Sequence, residues 1–327
     1  MVEQHRESPS GAWQWNPQDE PRLTWRDAPM PEAGPDEVVV RNRAAGLNPV
    51  DWKFIEWGPE IWSPGQIPGV DGAGDVVRVG ANVNSDWLGQ RVAYHQWLGR
   101  AGSFASHTVV PLRALMRVPP GMTYAQAAAL PCPALTAWQA LHKVPADAGL
   151  SVLITGAGGA VGAVLVQLAI ARGWEVSAMC NQRHWDRLER LGVQAFIAPN
   201  AAQSLTRAQR FDAVFDTISG DHANSLAGCV AANGHLVCVQ DRVTAPPLPP
   251  FTTSISLHEV ALNSMHVEGT DVQWRRLSAA GERMMDEMLR GDLEPLPVQT
   301  GLLTELPTLL DALREHKGAG RPVALCG

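Results

Sequence analysis

Apolar and polar positions along the chain fall into two textures. Over the first 120 residues the apolar runs are short, β-branched and bounded by Pro and Gly: EVVVRNRAAG (37–46), GAGDVVRVG (72–80), QRVAYH (90–95) and FASHTVVP (104–111). Each reads as a strand closed by turn residues, with no long amphipathic helix between them, which predicts an irregular antiparallel β domain. From about Thr123 the texture changes. Tyr124 to Leu141 is rich in Ala and Leu, and Pro-Cys-Pro at 131–133 divides it into two helical pieces. A β/α alternation follows: strands SVLIT (151–155), EVSAM (175–179), QAFI (194–197), FDAVFDT (211–217) and GHLVCV (234–239), with helices over Ala160–Ala171, His184–Leu191 and Asp221–Ala231. Strands separated by helices of about a dozen residues imply parallel βαβ units, hence a doubly wound sheet. Beyond the Pro-rich loop TAPPLPPF (244–251), VALNSMHV (260–267) reads as a strand. Trp274–Leu289 and Leu306–His316 have helical spacing, and RPVAL (321–325) is a last strand. The tail is expected to complete the first domain, giving one domain from 1–122 and 268–327 and another from 123–267.

Composition narrows the classes. Hydrophobic residues are 45% and charged residues 18% of 327, enough apolar material for a packed core. The net charge of −7 provides no global basic field, so no nucleic-acid partner is expected. The N-terminal MVEQHRESPSGAWQW has no apolar segment behind its charges, so no secretory leader is expected. The uncharged stretch 151–171 carries glycines at 156, 158, 159 and 162, which suits a strand, turn and helix better than a membrane span. The five cysteines are scattered without a CxxC pair, which points to a reducing cytoplasm and away from a structural zinc. There are 12 Trp against 2 Tyr, and eight of those Trp lie in the first 100 residues.

The candidate chemistry starts at VLITGAGGAVGAVLVQLA. Gly156, Gly159 and Gly162 stand at a strand-to-helix junction, where one Gly serves a sharp turn, one the approach of backbone to a pyrophosphate and one close packing of helix on strand. Gly158, Ala160 and Val161 complete the loop, and a tight turn without a ligand is the bland alternative. A cofactor with a free ribose 2′-hydroxyl wants a carboxylate about 20 residues on. Here the second strand ends in Ala-Met-Cys-Asn-Gln (178–182) and Arg183, and the nearest downstream acid is Asp186. NADPH is therefore expected, with Arg183 as the cation and Asn181 as a neutral partner. The alternative for Arg183 is a solvated residue at a helix start.

GLNPVDWK (46–53), IPGVDGAG (67–74), AALPCPALTAWQAL (128–141), TGAGGAVG (155–162), FDAVFDTISG (211–220) and GRPVAL (320–325) together resemble the medium-chain dehydrogenase/reductase superfamily in its zinc-free quinone oxidoreductase branch. The resemblance implies an α/β protein: a GroES-like irregular β domain from both chain ends plus a Rossmann doubly wound parallel-sheet domain. Where zinc relatives hold the metal with Cys, His and Cys, this chain has Asn48, Val70 and Cys132, so no catalytic metal is expected. The resemblance makes Asn48 the first candidate for a donor to a developing oxyanion. Lys53 is the second, with a surface ammonium as its alternative; Asp51 and Asp71 rank below. It assigns Thr136 to the nicotinamide face, Arg321 to the cofactor phosphates, and Val239, Gln240 and Asn263 to the nicotinamide half. Trp52, Trp57 and Trp62, with Cys132, would wall a cleft for a flat quinone or enone, against the alternative that these indoles fill the core. Trp13, Trp15 and Trp25 are expected in the core. The implied activity is NADPH-dependent, zinc-independent reduction of quinones or α,β-unsaturated carbonyls by a cytoplasmic homodimer. An enoyl reductase for a thioester and a non-catalytic, crystallin-like NADPH binder are the alternatives.

Overall fold

The computed structural model describes residues 10–205, 209–218, 220–295, 297–316 and 320–327. Most of the N-terminal stretch read for a leader, and position 219 of FDAVFDTISG, lie outside the described residues. The chain forms two compact units, one ending at Cys132 and resuming at Asn263, the other Pro133–Leu262.

The first unit begins with an antiparallel hairpin, β1 (Gly11–Trp15) and β2 (Leu23–Asp27), that the sequence reading did not identify. These strands carry few β-branched residues, and tryptophan does the packing instead. Then follow β3 (Glu37–Gly46), α1 (Pro49–Trp57), β4 (Asp71–Val79), β5 (Arg91–His95), β6 (His107–Pro111), β7 (Leu115–Arg117) and α2 (Tyr124–Ala128). Helix α3 (Pro131–Leu141) leads into the second unit. The expected domain boundary at 122/123 falls ten residues early. The reason is that α2 and the start of α3 are tied to the first unit: Arg321 holds the Ala129 carbonyl and Asp71 accepts the Cys132 N–H.

The second unit contains β8 (Ser151–Thr155), α4 (Ala160–Ala171), β9 (Glu175–Met179), α5 (Trp185–Arg190), β10 (Ala195–Ile197), β11 (Phe211–Asp216), α6 (Asp221–Leu226), β12 (Val230–Cys238) and β13 (Ser256–Glu259). Its sheet has the order β10-β9-β8-β11-β12-β13, with every pair parallel. Winding runs outward from β8 on one side and from β11 on the other, so the order reverses between β8 and β11. Val152, Leu153, Ile154, Val214, Phe215, Leu236 and Val237 are fully buried, as expected of central strands covered on both faces. Strand β12 starts before the expected GHLVCV because its register on β11 jumps across Asn233-Gly234, where Asn233 has φ +60°. Helix α6 accordingly stops at Leu226 rather than Ala231.

The tail continues with α7 (Ser264–Glu268), α8 (Asp271–Arg290), β14 (Val298–Leu302), α9 (Leu306–Arg314) and β15 (Arg321–Leu325). VALNSMHV is not a strand. The sheet edge is the polar SLHE of β13, and the chain leaves it to form α7, where the Asn263 side chain accepts the Leu98 N–H at 3.0 Å. Helix α8 starts at a Thr270 cap and buries Trp274, Leu277, Gly281, Met284 and Met285 on one stripe. It ends at Gly291 with φ +81°. Strand β15 pairs antiparallel with β3, Val323 opposite Gly46, so the tail enters a seven-stranded sheet ordered β14-β15-β3-β4-β5-β7 with β6 also on β3.

The core of this unit gathers Trp13, Trp15, Leu47, Ile55, Trp62, Phe104, Leu303, Leu306 and Leu310. Each buried indole finds a carbonyl: Trp13 Nε1 donates to Leu303 O (2.7 Å), Trp15 to Ile55 O (2.9 Å) and Trp62 to Leu98 O (2.7 Å). Trp62, expected to wall a cleft, is thus a core residue 7% exposed and edge-on to Trp15 at 5.4 Å. Among the described residues no helix is long and apolar enough to cross a membrane.

Candidate functional site

In the second unit the glycine loop follows β8. Gly156 takes φ +58°, and a Cβ there would sit 2.2 Å from Thr217 Oγ1. Gly159 caps α4, its N–H donating to Gly156 O at 2.8 Å. A Cβ on Gly162 would meet Gly156 O at 2.4 Å and Ala157 Cα at 2.7 Å, so only glycine lets α4 close on the loop. The N–H groups of Ala160, Val161 and Gly162 belong to the first turn of α4, where no intrahelical acceptor exists, and the helix dipole adds partial positive charge. Those donors, at the carboxyl end of the first parallel strand, fit a pyrophosphate. Gly158 has another role. A Cβ there would lie 2.3 Å from the His184 ring, so this glycine makes room for an imidazole.

His184 was not singled out from sequence. It ends the turn after β9, where Asn181 Oδ1 accepts the Arg183 N–H at 3.1 Å and Arg183 Nε donates to His184 Nε2 at 3.1 Å. Arg183 is exposed beside the glycine loop. Burial, with Arg183 and Arg187 nearby, lowers the His184 pKa. Thr136 is buried on α3. Val239 follows β12, its N–H donating to Asp216 O, and Gln240 donates to Thr217 O at 3.3 Å. Asn263, expected with this group, instead serves the first unit through Leu98.

The first unit holds a buried polar cluster of Asn48, Asp51, Asp71 and Arg321, each 7% exposed or less. Asn48 precedes α1, and its backbone N–H donates to Asp51 Oδ2 at 2.7 Å; Asp51 Oδ1 accepts from Val70 N at 3.2 Å. Asn48 Nδ2 donates to Asp71 Oδ2 (3.0 Å) and, at 3.4 Å, to Gly46 O. Asn48 Oδ1 accepts from Arg321 at 2.6 Å. Arg321 also donates to Ala129 O (2.7 Å) and pairs with Asp71 Oδ2 at 3.3 Å, while Asp71 accepts the Cys132 N–H at 3.0 Å. Among the described residues the guanidinium pairs with Asp71, whereas Asp51 is held by backbone N–H groups. Burial pushes Asp51 up to about 7, against the N–H groups of Asn48 and Val70 and with the Asp71 charge acting in the same direction. Burial likewise pushes Asp71 up to about 7, against Arg321 and its hydrogen-bond donors.

This geometry revises two expectations. The Asn48 amide is only 2% exposed, with its oxygen and its N–H groups engaged inside the unit, so it is a structural bracket rather than a donor presented to substrate. Arg321 holds Asn48, Asp71 and Ala129, and its guanidinium is not presented to a phosphate. Metal fit follows from the same contacts: Val70 has no lone pair, and Asn48 Oδ1 faces a guanidinium that repels a dication, so these residues do not suit a zinc. Lys53 and Trp52 lie half-buried on α1, with Nζ 5.9 Å from the Trp52 ring centroid. Trp57 is 66% exposed at the end of the same helix. Cys132 is half-buried.

Known proteins agree with this architecture. The alcohol dehydrogenase GroES-like domain matches residues 34–120. A trans-enoyl reductase of Aspergillus terreus is 32% identical over 228 residues, 63% of this chain and 64% of that protein's length, so the match spans just under two-thirds of the relative. A chloroplastic quinone-oxidoreductase homologue of Spinacia oleracea is 34% identical over 205 residues, 58% of this chain and 62% of that one. Among solved structures, an alcohol dehydrogenase superfamily protein from Novosphingobium aromaticivorans superposes with a TM-score of 0.84 at 26% identity, covering 97% of this chain and 99% of the other. With the GroES-like domain in place and the fold shared over nearly the whole length, the chain has the fold of the medium-chain dehydrogenase/reductase superfamily.

Proposed function

We propose that this chain is an NADPH-dependent, zinc-independent reductase of quinones or α,β-unsaturated carbonyls. The observation that carries the reading is the glycine loop, whose Gly156 turn, Gly162 packing and first-turn N–H groups suit a dinucleotide pyrophosphate. Arg183, exposed beside that loop with no acid at the end of β9, favours the 2′-phosphorylated form. When bound, the reduced nicotinamide supplies a hydride to an electron-poor carbon, and the protein's share of the chemistry is orientation and a donor for the oxygen that gains charge. With the Asn48 amide engaged, we assign that donor role to Lys53. The Asp51/Asp71/Arg321 cluster supports it from within, fixing the start of α1. The trans-enoyl reductase and quinone-oxidoreductase relatives together support a reductase, and the former favour a second reading, reduction of an enoyl thioester. A homodimer is part of the proposal, testable by sedimentation.

The experiment is NADPH oxidation with panels of quinones, enones and enoyl thioesters, alongside fluorescence titrations of NADPH and NADH. The expected result is turnover with at least one panel, tighter NADPH than NADH, and loss of that preference in Arg183→Ala. Cofactor binding without turnover of any acceptor defeats the enzyme reading and leaves a non-catalytic binder.

A further inference from the structure

The carboxyl ends of β8 and β11 carry a second set of polar groups. Asp216, the last residue of β11, is fully buried. Its Oδ1 accepts from Thr155 Oγ1 at 2.5 Å, where Thr155 is the last residue of β8. The same oxygen accepts from His222 Nδ1 at 2.8 Å. Thr217 closes the set, its hydroxyl donating to Thr155 O (2.9 Å) and its N–H to Thr155 Oγ1 (3.1 Å). Thr217 Oγ1 is also the atom that fills the space a Cβ on Gly156 would need. The set therefore abuts the first residue of the glycine loop.

Two observations single out His222. First, the sheet order reverses between β8 and β11, and a crevice at such a reversal is where open parallel sheets bind ligands. Secondly, His222 Nε2 is buried and has no hydrogen-bond partner among the described residues. Buried polar atoms are nearly always paired, so an orphan at this place calls for a missing partner. With the Nδ1 hydrogen given to Asp216, Nε2 offers a lone pair, and its complement is a hydroxyl donor rather than a phosphate oxygen, which only accepts.

We infer that His222, held in its tautomer by Asp216, is a binding residue whose Nε2 accepts a hydrogen bond from a ribose hydroxyl of the dinucleotide. The inference rests on the proposed dinucleotide binding and adds a contact to it. Thr155 and Asp216 act as positioning residues, fixing the ring through buried hydrogen bonds that do not depend on ligand.

The test uses the full chain labelled with 15N-histidine, with the His222 signals assigned by their loss in His222→Gln. Saturating NADP+ is expected to shift the Nε2 resonance of His222 while Nδ1 stays protonated. Titrations with AMP and NMN then tell which ribose is responsible. In parallel, His222→Phe is expected to weaken NADPH binding about tenfold, with a lowered thermal midpoint because buried Asp216 loses the Nδ1 donor. If that variant does not fold, the wild-type spectrum decides alone. An Nε2 signal indifferent to bound cofactor means that no dinucleotide hydroxyl reaches His222 and overturns the inference, while the dinucleotide reading stands. Wild-type protein that binds neither NADPH nor NADH sinks both.

Discussion

Asp51 offers a quantitative check on the buried cluster. It is 1% exposed, accepts two backbone N–H groups among the described residues, and is pushed by burial up to about 7 from an ordinary 3.8. Because the folded value is raised, the contribution of this group to stability is fully present below the unfolded pKa and is lost as pH rises to about 7. At 1.36 kcal/mol per pH decade, the lost stability is about 1.7 kcal/mol at pH 5 and about 4 kcal/mol at pH 8. Asp51→Asn removes the titration. An amide oxygen keeps one of the two N–H bonds and sets an NH2 against the other, a loss of roughly 1–3 kcal/mol at every pH. The Asp71 carboxyl is present in both proteins and cancels to first order. Urea unfolding followed by tryptophan fluorescence reads this unit, since Trp13, Trp15 and Trp62 pack in the core that includes Ile55 of α1. The stability of the variant relative to wild type is expected to improve by about 2.6 kcal/mol between pH 5 and pH 8. A difference that stays flat within about 0.5 kcal/mol over that range would falsify the assignment of a raised pKa to Asp51.

The ion pair beside it gives a second expectation. Arg321→Met leaves Asp71 buried without its cation and should cost about 3–5 kcal/mol in the same assay, partly recovered by adding Asp71→Asn; equal loss in single and double variants would show that the charge is not the cause. The tryptophans give a third. Trp62→Ala should cost about 3–5 kcal/mol, whereas Trp57→Ala, at a residue 66% exposed, should change stability by less than about 0.5 kcal/mol. Similar losses at the two positions would contradict the burial of Trp62.

The sequence by itself determined the layer plan of the second unit. Its periodicities are local: β-branched runs of five or six residues, helices of about a dozen, and glycines whose turn and packing roles depend on neighbours a few positions away. That is why SVLIT, EVSAM and the glycine loop were legible, and why the return of RPVAL to the first sheet could be expected from a strand pattern left over at the end. VALNSMHV misled because apolar content alone does not separate a strand from a short helix anchored by one side chain, and SLHE hid an edge strand because an edge needs little burial. Only tertiary structure decided the roles of the candidate residues. Asn48 and Arg321 are 273 positions apart, and the bond between them turns both away from the tasks their separate motifs suggested. Gly158 is a glycine because of His184, and His222 gains interest only because two strand ends 61 positions apart bring Asp216 to Thr155. Hydrogen bonds and burial are set by what the chain brings together, and for these polar residues the partners lie far along the sequence, beyond the reach of any local pattern.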